Sequence, residues 1–358
     1  MIGNITKKAI TICINMNIPF CIYALPHSKR CVFYANPSAP IESRATFDGQ
    51  HQFYVNFFNN EGPYTVGIKP EMAATEIVKN LASLKFRDDP DISPWSRETK
   101  EIQYHSQARQ IIDSLKKRGG KTVLSRTFFC ECDLDSEYNW PNIIDAYFER
   151  NQGCFRNVFY TRETGCWIGA TPEILLDVNH KNMSFETMSL AGTRPLCDTN
   201  KEWDTKNREE HDYVTDYISS TLVKLGVDHK VGMQENVPFG NIEHLCHRIS
   251  GRLNDTPIEK ILTTLSPTPA VLGFPTQKAL EDIKQFEVHP RFCYSGFVGV
   301  CDKKGYHLYV NLRCAHFNNQ CACIYAGGGL TAKSKPHTEW EETTLKLFPL
   351  LQSIIYYG

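Results

Sequence analysis

Residues 310–346 read VNLRCAHFNNQCACIYAGGGLTAKSKPHTEWEETTLK, and the reading of this stretch decides the fold. Two strand-like runs, YHLYVNLRCAHF (306–317) and CACIYA (321–326), flank an FNNQ turn, so they predict an antiparallel pair. The second run ends at Gly327, Gly328 and Gly329, and a helix follows. Glycines after a strand permit positive φ and close backbone approach, so successive N–H groups can face an anion. Thr338 and Glu341 have capping-box spacing at the start of the predicted helix, which makes Glu341 a structural residue. Glu339, Glu342 and Lys346 fall at i, i+3 and i+7, on one helical face. Two carboxylates and an ammonium beside an N–H cradle suit a divalent cation with an anionic ligand. The plain alternative is a solvated helix with one Glu342–Lys346 surface pair, worth about 0.3–0.5 kcal/mol.

Composition narrows the class. With 358 residues, 41% hydrophobic and 22% charged, the chain can bury a sizeable core. A net charge of −1 gives no footprint for nucleic acid or an acidic membrane surface. No apolar run has the length of a membrane span. The run AITICINMNIPFCIYALP (9–26) is broken by Asn15, Asn17 and Pro19, and reads as buried strand rather than a targeting segment. Fourteen cysteines lie scattered in strand-like runs without a CxxC, which fits reduced thiols in a cytoplasm better than a disulfide framework or zinc site.

Moving outward, residues 1–65 read as short antiparallel strands, EMAATEIVKNLASL (71–84) as a helix and PDISPWSRETKEIQ (90–103) as a loop. A long amphipathic helix runs from about Lys100 to Arg118, with apolar positions at Ile102, Ala108, Ile111, Ile112 and Leu115. It stops at Gly119–Gly120, and KTVLSRTFF begins a strand with Lys121 at its start, where a side chain can face a cleft. A lysine serves as a base only when burial or a cationic neighbour lowers its pKa; a solvated turn lysine is the plain alternative. Glu173, between Pro172 and an apolar run, needs a partner or a proton. A strand ending at Ala191–Gly192–Thr193 lets backbone approach a ligand. On the helix spanning about Asp204 to Leu225, Glu210 continues the inward stripe of Val214 and Tyr217, whereas Glu209 and Asp212 lie outside it. His244 and His247 sit three apart on a strand, hence on opposite faces. Ala270, in the Pro-rich loop SPTPAVLGFPTQ, suits a pocket wall. Arg313 shares a strand face with Tyr309 and Asn311 and can fork onto a carboxylate. No linker divides the chain, so residues 1–358 read as one domain.

These residues together carry a resemblance. KTVLSR, ATPEILL, LAGTRP, EEHDYV, HLCHRISGRL, SPTPAVLGFP, YSGFVGV, LRCA, AGGGL and EWEETTLK occur in the order found in the chorismate-utilising enzymes, between about residues 120 and 346. The chain most resembles the isochorismate synthases among them. The resemblance implies an α+β fold of two large packed antiparallel sheets flanked by helices, with the site in a cleft. It implies Mg²⁺ held by Glu210 and Glu342, with Glu339 as a further carboxylate near the metal. It implies Lys121 as the base that activates water and Glu173 as the acid that protonates the departing C4 hydroxyl. Arg313, Tyr294, Lys346 and the backbone near Gly192 and Gly327–Gly329 match groups that hold the carboxylates of chorismate, and His244 matches a histidine of the ring pocket. Ala270 stands where nitrogen-adding relatives commonly have threonine, which favours an isochorismate product. Ser266, AGGGL and Asn207 depart from the commoner His, AGAGI and acidic residue; the last weakens any second carboxylate on that helix. A salicylate synthase and an inactive chorismate-binding protein are the competing readings. The motifs do not separate menaquinone from siderophore supply or fix the oligomeric state, with which a monomer is compatible.

Overall fold

The computed structural model describes residues 2–40, 42–60, 64–87, 96–132, 139–318 and 321–357. Two eight-stranded antiparallel sheets form its frame. One runs, edge to edge, Gly273–Phe274, Lys121–Glu131, Cys321–Leu330, Cys314–Phe317, Gly165–Thr171, Phe155–Thr161, Phe20–Ala24 and Val32–Ala35. The other runs His229–Phe239, Ile242–Arg252, Ser184–Pro195, Ile174–Asn179, Gly305–Val310, Phe297–Cys301, Gln52–Val55 and Val66–Ile68.

Strand alternation sorts the side chains into layers. Tyr23, Phe155, Phe159 and Trp167 of the first sheet meet Phe53, Val55, Val300 and Tyr309 of the second in one buried cluster. Within it Phe155 and Tyr309 stack with centroids 4.5 Å apart and planes 5° from parallel, the kind of offset pairing that adds about 0.5–1.5 kcal/mol beyond burial. The opposite face of the first sheet (Ile22, Val158, Ile168, Ile324) is covered by helices Asn4–Asn15, Asn139–Arg150 and Pro336–Tyr357. The outer face of the second packs on Thr205–Lys224 and Ile258–Leu265. Helix, sheet, sheet and helix layers make this the expected α+β arrangement.

Several local expectations need correction. Residues 4–15 form a helix, not a strand: Ala9, Ile10 and Cys13 lie on one helical face and are fully buried, and the strand begins only at Phe20. YHLYVNLRCAHF is two strands in different sheets, because the chain crosses between the sheets at Asn311–Arg313, where Arg313 takes φ 49°. Apolar alternation continues through the crossing and hid it. The glycines do not end their strand. Gly327, Gly328 and Gly329 pair with Ser125, Leu124 and Val123, and none has positive φ. Thr338 is no cap, since the last helix already starts at Pro336, a residue suited to the first helical position. Ile102, expected inward, is 79% exposed, and Tyr104 is buried in its place. The 71–84 helix is short, Ala74–Lys79 followed by a 3₁₀ turn. Residues 90–95 of the predicted loop, and Asn319 and Gln320 of the predicted turn, lie outside the described residues. Among those described, no helix is long and apolar enough to cross a membrane.

Candidate active site

Where the two sheets meet, a cleft of about 630 Å³, its mouth included, is lined by Glu173, Gly192, Glu210, His244, Ala270, Tyr294, Arg313, Gly327, Gly329 and Lys346, with apolar neighbours such as Leu190 and Val271. Ten positions singled out from sequence therefore face one cavity. Lys121, Gly328, Glu339 and Glu342 are not on its surface but stand behind it.

The glycine strand explains this division. Side chains alternate along a strand, so Gly327 and Gly329 share one face and Gly328 takes the other. A Cβ at Gly327 would lie 2.8 Å from the Tyr294 hydroxyl, and one at Gly329 would collide with the Glu210 carboxylate. A Cβ at Gly328 would come within 3.2 Å of Glu339 Oε2. The glycines are needed for room, not for turning. The neighbouring strand Cys314–Phe317 pairs only with Ala322–Ile324, so the glycine backbone has no strand on that side. Lys346 Nζ uses this opening, donating to the Gly327 carbonyl at 2.9 Å and to Glu342 Oε1 at 2.6 Å.

Lys121 is fully buried, and its Nζ donates to Glu210 Oε1 at 3.1 Å. Burial lowers its pKa, opposed by the Glu210 charge. Glu210 Oε2 accepts from Lys206 at 3.0 Å, and Lys206 Nζ lies 3.1 Å from Glu339 Oε1. Burial would raise the Glu210 pKa, but the Lys121 and Lys206 ammoniums hold it down at about 2. Glu339 is pushed up to about 7 by burial and by Glu342, against the pull of Lys206. Its Oε2 is buried without a hydrogen-bond partner. Glu210, Glu339 and Glu342, one with an unsatisfied buried oxygen, offer hard-oxygen donors of the kind a cation such as Mg²⁺ takes, although their oxygens do not lie within 4.8 Å of one another. Glu210, Glu339 and Glu342 are the residues that would hold it.

Glu173, also lining the cleft, is 3% exposed, its Oε1 has no partner, and burial pushes its pKa up to about 8. It is therefore a neutral acid at pH 7. Arg313 Nη2 donates to His244 Nε2 at 3.0 Å, while His244 Nδ1 lies 3.0 Å from the Gly192 carbonyl. A carbonyl only accepts, so Nδ1 carries the proton and Nε2 receives Arg313. Burial and Arg313 keep this histidine neutral. Among the described residues Arg313 forks onto no carboxylate; its Nη1 is buried without a partner, beside the cavity.

A family model described as chorismate binding enzyme matches residues 49–355. The chain belongs to the chorismate-binding enzyme family. It is 29% identical over 233 residues to isochorismate synthase MenF of Haemophilus influenzae, covering 61% of this chain and 54% of that protein. It is likewise 29% identical over 245 residues to isochorismate synthase EntC of Escherichia coli, covering 64% and 61%. The chain thus spans little more than half the length of the curated relatives it matches. The structure of MenF, the menaquinone-specific isochorismate synthase from E. coli, superposes with a TM-score of 0.77 over 99% of this chain and 91% of that one, at 17% identity, which shows the shared fold.

Within this site, sequence reasoning missed Lys206. Its only signal was the i, i+4 spacing to Glu210, which ordinarily marks a solvated pair. Because Glu210 points inward, that spacing carries Lys206 in with it. Asn207 plays a structural part, accepting from the Thr193 N–H at 2.9 Å and packing under Gly192, whose φ is 73°. Below the glycine strand, the buried Glu287 accepts from Ser125 N at 2.7 Å and pairs with Arg291, bracing the strand that begins at Lys121.

Proposed function

We propose that this chain is an isochorismate synthase: water adds to C2 of chorismate, the ring double bond shifts, and the C4 hydroxyl leaves, so the reaction is an isomerisation. The observation that carries this reading is Glu173, a buried, protonated carboxyl lining the same cavity as Glu210, which is ion-paired with the buried Lys121. A binding protein has no need of a neutral acid there.

Lys121 takes the proton from the attacking water. Burial lowers its pKa toward the free amine that such a base requires, and the Glu210 charge opposes this. Glu173 gives its proton to the departing hydroxyl. The unpartnered Nη1 of Arg313, the Tyr294 hydroxyl, Lys346 and the backbone at Gly192 and Gly327–Gly329 hold the substrate carboxylates, and neutral His244 keeps Arg313 in place. Bound by Glu210, Glu342 and Glu339, Mg²⁺ would supply positive charge to a carboxylate of the substrate. The whole of 1–358 is read as one chorismate-binding domain. Its free cysteines, most of them buried, accord with a cytoplasmic setting.

The test is incubation with chorismate and Mg²⁺ followed by product separation, for the parent and for Glu342→Gln. Isochorismate from the parent alone, with both proteins folded by circular dichroism, is expected. Salicylate and pyruvate would indicate the longer reaction, and bound but unchanged chorismate a binding protein. Full activity of Glu342→Gln, or in excess chelator, would remove the metal from the scheme.

A further inference from the structure

On the outer surface, the first turns of helices Glu101–Arg118 and Pro336–Tyr357 lie side by side, and each carries an i, i+4 histidine–glutamate pair. His105 Nε2 is 3.7 Å from Glu101 Oε1, and His337 Nε2 is 3.3 Å from Glu341 Oε1. The two pairs face each other. One ligand atom each from Glu101, His105 and His337 lies within 4.8 Å of the other two. The imidazole rings stand 6.1 Å apart at 78°, and His105 is held edge-on against Trp340. His105 Nε2 is buried without a hydrogen-bond partner, a placement that costs stability unless something satisfies it.

Two ordinary surface pairs would leave that nitrogen unexplained. We propose that Glu101, His105 and His337 form a surface site for a borderline-soft divalent ion such as Zn²⁺, with the fourth position open to water. Imidazole nitrogens favour Zn²⁺, Co²⁺ and Ni²⁺ over Mg²⁺. Metal–nitrogen bonds of about 2.0–2.1 Å are reached from the present spacing by small rotations of the exposed Glu101 and His337 side chains, which are 54% and 71% accessible. The site is separate from the carboxylate cluster, although both draw on the last helix. Occupancy would clamp the start of the helix that carries Glu339 and Glu342 to its neighbour, and this holds whatever reaction the cleft performs.

Co²⁺ titration in saturating Mg²⁺, which occupies the hard-oxygen cluster, tests the proposal through visible absorption. One equivalent of Co²⁺ with the intense bands of tetrahedral coordination is expected. His337→Ala, a change at an exposed residue, should weaken Co²⁺ binding more than about tenfold, and His105→Gln should do the same. Absence of tetrahedral bands in the parent, or parent-like affinity in both variants, overturns the site. Displacement of Co²⁺ by excess Mg²⁺ would also overturn it, since imidazole ligation would not permit that.

Discussion

Glu173 and Glu210 are the same residue type, both buried beside one cavity, yet they reach opposite charge states. Glu210 touches two ammoniums, Lys121 at 3.1 Å and Lys206 at 3.0 Å, and remains a carboxylate. Glu173 forms no ion pair among the described residues, has an unpartnered oxygen, and keeps its proton. Burial penalises both charged forms alike, so the number of cations in contact decides between them. The same cleft therefore holds both a fixed charge and a protonated carboxyl. Acid–base chemistry at neutral pH requires that separation.

The largest expected effect comes from removing the proposed proton donor. Glu173→Gln should lower kcat by about 10²–10⁴-fold with a smaller change in KM. It should also alter stability against pH. A carboxyl raised from 4.5 to about 8 in the fold is protonated there while its unfolded counterpart ionises. Stability is thus fully present at low pH and falls, at up to about 1.4 kcal/mol per pH unit, as pH rises through that window. Glu210 has the reverse sign, losing its contribution only as pH falls from 4.5 toward about 2. Thermal melts from pH 5 to 8 should fall less steeply in Glu173→Gln than in the parent; identical slopes would mean that Glu173 is ionised and the contrast is false.

Next is Lys206→Met. It leaves Glu210 with one cation and Glu339 with none, so the metal-free protein should lose roughly 3–5 kcal/mol, as when one partner of a buried pair is deleted. Because the carboxylates then await a cation, Mg²⁺ should raise the variant's melting temperature more than the parent's. Equal Mg²⁺ shifts would place the cation elsewhere. The smallest effect concerns the wall that both halves share. Ala270→Thr adds a hydroxyl and a methyl, about 1–3 kcal/mol of conflict, and should reduce isochorismate formation more than Mg²⁺-dependent chorismate binding. Parent-rate product formation would remove Ala270 from product choice.

Much of this contrast is legible in the amino-acid sequence alone. A charge following Pro172 and preceding Ile174–Leu175–Leu176 has few ways to be satisfied, and helical period places Glu210 inward and Glu339, Glu342 and Lys346 together. Both readings rest on local periodicity, which survives folding. What failed was information that only tertiary packing supplies. The crossing at Asn311–Arg313 interrupts pairing without interrupting alternation. The glycines looked like a turn because their need for space arises from Glu210, Tyr294 and Glu339, each distant in sequence. Lys206 drew no reading because its second partner, Glu339, lies on another helix. The helix at 4–15 was hidden by an apolar richness that suits either element.

The pairing of Lys121–Glu131 with Cys321–Leu330 has a kinetic consequence. Thr122 opposes Leu330, about 200 residues away along the chain. A ladder joining such distant segments closes late, since the loop entropy must be met before its contacts form. Lys121 begins one of these strands, and the three glycines pair within the other, just before Leu330. During refolding, substrate affinity should then return only with the slowest phase, after most helices and local hairpins have formed, which makes ligand binding a reporter that the chain has finished folding.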